Sequence, residues 1–128
     1  MRLLLDTHAL IWWGLDDPQL GAAAREAIGA ADSEVFVSAA SAMEVTTKHR
    51  LGKLPQGERL ALGFESLVAA MGFQPLPITL AHARFAGNLV VPHKDPFDRL
   101  LIAQAISEGM PLASNEAVFE GFGVTRIW

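Results

Sequence analysis

Arg2-Leu3-Leu4-Leu5-Asp6-Thr7-His8 is the stretch on which the fold turns. Three consecutive leucines without polar alternation describe a strand buried on both faces, as in a parallel sheet covered by helices. The strand stops at a carboxylate, and Thr7 to Leu15 follows at once, with Leu10 and Trp13 spaced for one helical face. A strand that passes directly into a helix is the opening half of a βαβ unit.

The same alternation continues along the chain. Asp17-Pro18 offers an N-cap with proline at the first helical position, which predicts a second helix running through Ala22–Ile28. Glu34–Ser38 is β-branched and aromatic, a second strand, and Ala39 to Leu51 reads as helix closed by Gly52. A further helix is expected from Glu58 to Met71, then a short strand Phe73–Pro77 limited by its prolines. Thr79 caps a helix Leu80–Gly87. After a loop at 90–94, Asp95-Pro96 opens the most apolar helix, which Gly109 closes. Pro111–Ser114 and Val124–Trp128 supply the last two strands. The expectation is one α/β domain over residues 1–128, a short parallel sheet of about five strands flanked by helices on both faces.

The chain has 128 residues, 51% hydrophobic, with ten Lys and Arg against fourteen Asp and Glu and a net charge of −4. With no cysteine, disulfide scaffolds, thiolate zinc sites, iron–sulfur clusters and cysteine nucleophiles are excluded. The acidic balance excludes a general basic-patch polyanion binder. Asp6 interrupts the N-terminal leucines before any signal-peptide core, and no apolar run approaches the ~20 residues of a membrane span. A soluble cytoplasmic protein is therefore expected. A mean hydropathy of +0.28 fits either apolar surface covered by a second copy or partner, or many small alanines in ordinary helices.

Open parallel sheets bind ligands at the carboxyl ends of their strands. Asp6 ends the first strand, Glu44 lies one and a half turns into the helix after the second, and Asp95 and Asp98 open a helix starting at the same edge. Asn115 follows the fourth strand. Taken singly, each has an ordinary structural explanation: Asp6 as a helix cap, Glu44 as the i,i+4 partner of Lys48, Asp95 with Asp98 as a capping box. Together they converge on one rim. Two carboxylates ~4 Å apart repel by about 4 kcal/mol at an effective dielectric of ~20, so a fold that gathers three points to a divalent cation. All-oxygen donors favour Mg²⁺ or Mn²⁺ over zinc, and the matching chemistry is metal-assisted phosphodiester hydrolysis. An aspartate-nucleophile phosphatase would need an acid two residues after Asp6, where His8 stands. A phospho-receiver domain would need its acidic pair at the first strand's end, and Asp16-Asp17 comes ten residues too late.

These residues resemble those of the PIN-domain ribonucleases, and within them the VapC-type toxins of bacterial toxin–antitoxin pairs. The similarity covers Leu3–His8, Ser41–Val45 with Lys48 and Leu51–Leu54, His93–Ala105, Ser114-Asn115 and the closing Val124–Trp128. The His93-Lys94-Asp95-Pro96-Phe97-Asp98-Arg99 segment is the most specific part. The resemblance implies an Mg²⁺- or Mn²⁺-dependent endoribonuclease with Asp6, Glu44 and Asp98 as catalytic and metal-binding acids, acting on RNA, held by an antitoxin protein and working as a homodimer. Asp95 is then a cap or an outer metal ligand. Asn115 stands where the family usually has a further acid, and can offer an amide oxygen but no charge. Thr7 either supports the metal site or caps a helix. Lys48, Lys94 and Arg99 are candidates for RNA phosphate or antitoxin carboxylates, and Trp12 and Trp13 for bases or a partner's side chains. The alternative is a degenerate PIN domain that binds RNA or a partner without efficient catalysis.

Overall fold

The computed structural model describes residues 1–128. Strand β1 (Arg2–Leu5) passes into α1 (Thr7–Gly14), followed by α2 (Ala22–Gly29), β2 (Glu34–Ser38) and α3 (Ala39–Arg50). A 3₁₀ turn at Pro55–Gly57 leads to α4 (Glu58–Leu62), α5 (Phe64–Ala70) and β3 (Gln74–Leu76). Then come α6 (Leu80–Asn88), α7 (Pro96–Glu108), β4 (Leu112–Ala113), a second 3₁₀ segment at Ala117–Phe122 and β5 (Arg126–Ile127). All pairings are parallel, in the order β3-β2-β1-β4-β5. Leu3 lies opposite Val35 and Leu5 opposite both Val37 and Ala113, so β1 is the central strand.

The three leucines divide between two cores because side chains alternate across a strand. Leu3 and Leu5 join Val35, Val37, Ala9, Leu10, Trp12, Val45 and Phe73 on one face. Leu4 joins Phe36, Leu101, Ile102, Leu112 and Phe119 on the other. Both faces of β1 are closed, which is why the sequence shows no polar alternation there.

Two expectations need correction. Asp17-Pro18 makes a turn and not a helix start, because Asp17 Oδ1 accepts from the Gln19 N–H at 2.8 Å. Helix α2 begins only at Ala22, after Gly21, where a Cβ would come within 2.4 Å of the Trp128 backbone. The single helix expected over 58–71 is two, broken at Gly63, whose φ of −143° and ψ of 47° leave the helical region. Helix α7 follows the sequence closely: Asp95 caps it, Pro96 occupies the first turn, and Gly109 ends it in the left-handed region at φ 62°. No helix is long and apolar enough to cross a membrane.

Candidate functional site

Asp6 is placed by the end of β1 and Glu44 by the second turn of α3, and each is 4% exposed. Asp98 sits in the first turn of α7 with its side chain 23% exposed. Ser38 fixes α3 by accepting from the Ala40 N–H at 2.9 Å, and its hydroxyl donates to Gln104 Oε1 of α7 at 2.5 Å. The two helices carrying Glu44 and Asp98 are thereby tied together beneath the rim.

Each acid has its own donors. Asp6 Oδ1 accepts from the His8 N–H at 2.8 Å, and Asp6 Oδ2 accepts from the Ser114 hydroxyl at 2.7 Å. Glu44 Oε1 accepts from the Thr7 hydroxyl at 2.6 Å, and Ser41 Oγ lies 3.0 Å from Thr7 Oγ1. Glu44 Oε2 pairs with the Lys48 ammonium. His93 Nε2 donates to Asp98 Oδ2 at 2.7 Å, its ring held edge-on to Phe119 and tilted against Phe122. Asp95 Oδ1 accepts from the Phe97 and Asp98 N–H groups at 2.9 and 3.1 Å, the geometry of an N-cap.

The carboxylates feel one another. Burial pushes the Asp98 carboxyl up to about 6; the His93 hydrogen bond opposes this, and the charges of Asp95, Asp6 and Glu44 add to it. Burial also raises Asp6, against the hydrogen bonds from Ser114 and the His8 N–H, with the Glu44 charge adding to the rise. For Lys48 burial alone would lower the ammonium, but its bond to Glu44 and the charges of Glu44, Asp95 and Asp98 carry it above its ordinary value. Four acids from three elements therefore share one electrostatic field.

That field, with carboxylate and hydroxyl oxygens as the only donors beside His93, fits a hard divalent cation. The fit is one of charge and donor type. No three acid or histidine side chains stand close enough together to grip an ion directly; side-chain rotation and water would complete the shell, as Mg²⁺ sites allow.

Several expected contacts fall elsewhere. Arg99 does not reach out to RNA or a partner: its guanidinium donates to the carbonyls of Ala86, Gly87, Leu89, Val91 and His93. It closes the end of α6 and holds the loop that bears His93. Trp12 and Trp13 are not an exposed aromatic patch. Trp12 is 8% exposed and packs on Trp128, while Trp13 lies against Phe73. Asn115 is exposed and makes no hydrogen bond, and the residue after β4 that meets Asp6 is Ser114. Lys94 is exposed and forms no ion pair. Ser41 and Ser114 escaped the sequence reading, because a serine carries no signal until the topology brings it beside an acid. His93, from the most specific segment of the sequence, sits directly on Asp98.

A parallel sheet with an acidic, hydroxyl-lined cluster at the carboxyl end of its central strand is the α/β class whose ligands sit at that edge, with a donor set suited to a hard cation. The model of the PIN domain matches residues 3–123, and the chain belongs to that family. It is 32% identical over 126 residues to Ribonuclease VapC22 of Mycobacterium tuberculosis, covering 89% of this chain and 86% of that one. Two solved structures share the fold. VapBC2 from Rickettsia felis, bound to a DNA fragment from its promoter, gives a TM-score of 0.70 at 14% identity over the whole of both chains. Mycobacterium tuberculosis VapC20, a sarcin–ricin loop cleaving toxin, gives 0.69 at 16% identity over 95% of each.

Proposed function

We propose that this protein is the endoribonuclease toxin of a toxin–antitoxin pair, hydrolysing RNA phosphodiester bonds with Mg²⁺ or Mn²⁺ held by Asp6, Glu44 and Asp98. PIN-domain ribonucleases of the VapC type are metal-dependent as a class, and the likeness to Ribonuclease VapC22 supports the activity. The observation that carries the site assignment is the shared field of Asp6, Glu44 and Asp98 at the end of β1. A cation bound there would supply Lewis acidity to the phosphoryl group and activate the attacking water.

The chain's own residues do the rest. Thr7 and Ser41 fix the rotamer of Glu44, Ser114 and the His8 N–H fix Asp6, and His93 orients Asp98. Asp95 acts through the first turn of α7, holding the backbone from which Asp98 projects. The partner is a small antitoxin protein, in keeping with the toxin–antitoxin complexes that share the fold. The working form is a homodimer in the cytoplasm, and exposed Met43, Leu51, Leu62 and Leu80 offer apolar surface for such contacts.

RNA cleavage by the purified protein tests this reading. Cleavage should require Mg²⁺ or Mn²⁺, and Asp6→Asn, Glu44→Gln and Asp98→Asn should each lower kcat/KM by about 10² or more, non-additively because the three act as a unit. Full activity in EDTA would overturn it. Metal-independent RNA binding without cleavage would favour the degenerate, binding-only reading.

A further inference from the structure

Lys48 stands apart from the other cations of the chain. Arg2, Arg25, Arg99 and Arg126 are committed to main-chain carbonyls or to acids outside the rim. Arg50, Lys53, Arg59, Arg84 and Lys94 are exposed and form no ion pair. Lys48 alone places its charge on one of the three rim acids assigned to the metal, at Glu44 Oε2, and its side chain is one-third exposed. Each Glu44 oxygen has a donor, since Thr7 holds Oε1.

The two donors on Glu44 differ in what they can do. The Thr7 hydroxyl is buried at the start of α1, beside Ser41, and has a single short reach. The Lys48 ammonium hangs on four methylenes one turn along α3 from Glu44 and is one-third exposed, so it can leave Oε2 by rotating its own side chain, with no change in the backbone. An ammonium and a divalent ion at one carboxylate oxygen repel about twice as strongly as two unit charges do, by about 8 kcal/mol at ~4 Å and an effective dielectric of ~20. Glu44 therefore holds either the ammonium or a divalent ion.

We propose that Lys48 is an exchangeable counter-ion of the acidic rim: a divalent cation taking Glu44 releases the ammonium, which then binds the RNA phosphate beside the cleavage point. This rests on the reading of the rim as a metal-dependent ribonuclease site. Its consequence is a coupling between two ligands. Metal binding frees a phosphate-binding cation and RNA stabilises it in the freed position, so each ligand tightens the other by the same factor. The exchange also keeps the rim from carrying three uncompensated carboxylates at any stage.

Two binding measurements on the intact protein at about pH 8, above the value of about 6 for Asp98, test it. One is Mn²⁺ binding by calorimetry, and the other is binding of a labelled, uncleavable 2′-O-methyl RNA oligonucleotide of mixed sequence with and without Mn²⁺. Lys48→Met keeps the stem and removes the charge. It should raise Mn²⁺ affinity by roughly fivefold and lower RNA affinity in the presence of Mn²⁺ by a similar factor. Lys48→Arg should keep both values near those of the parent protein. A Lys that only binds phosphate would leave Mn²⁺ affinity unchanged on Lys48→Met, and one that only steadies α3 would leave RNA affinity unchanged; either result overturns the proposal. Urea unfolding of Lys48→Met and of Lys48→Gln separates loss of fold from loss of binding. If the parent protein binds no Mn²⁺ and cleaves no RNA, the ribonuclease reading itself fails. If it does both and Lys48→Met fails to tighten Mn²⁺, only the exchange is wrong.

Discussion

Asp98 takes up its proton at about 6 in the folded protein, against an ordinary 3.8, because it is partly buried among other acids. The fold thus favours the neutral acid over the carboxylate. Between about pH 4 and pH 6 the native state holds the extra proton, so this group's contribution to stability declines as pH rises and is fully lost above about 6. Asp98→Asn should be more stable than the parent protein at neutral pH, and the gain should vanish below about pH 4; urea unfolding across that range measures it. Metal binding runs the other way. It requires the carboxylate, so Mn²⁺ affinity should weaken as pH falls through about 6 in the parent protein. Asp98→Asn is therefore expected to strengthen the fold at neutral pH while lowering kcat/KM by about 10² or more.

Arg99 shows how a residue can serve a site without touching it. Five carbonyls from Ala86 to His93 accept from one arginine, and two aromatic rings flank the histidine that meets Asp98. Arg99→Lys keeps the charge but cannot supply the planar fork. It should cost about 1–3 kcal/mol of stability and speed amide exchange at residues 89–94. The salt dependence of RNA binding should stay unchanged, because a residue turned inward neutralises no phosphate. Arg99 also marks where sequence reading ends. Helix α7 was legible since its cap, proline and closing glycine are neighbours in the chain, and the three leucines of β1 declare their double burial locally. The destination of a long arginine depends on the end of α6 and the following loop, six to thirteen residues upstream. The indoles at 12 and 13 likewise gave no sign that Trp128 and Phe73 would cover them. The rim acids could be placed because strand ends are predictable. Their serine and histidine partners could not, since they arise from contacts between distant segments.

At the scale of the molecule, Trp128 is partly buried and packs against the larger core. Trp128 packs on Trp12 and lies so close to Gly21 that a Cβ there would meet its backbone at 2.4 Å. Gly21→Ala should cost about 1–3 kcal/mol through this overlap. Gly87→Ala has open space around it in α6 and should gain about 0.5–1 kcal/mol. Paired denaturant curves would show the opposite signs. β1 can pair with β2 early, but its other neighbour is β4, and Ser114 reaches Asp6 across 108 positions of chain. During translation, then, the first acid is made 108 positions before the hydroxyl that orients it. A nascent chain cannot assemble this edge while still short, and synthesis interrupted before residue 114 yields a product without it.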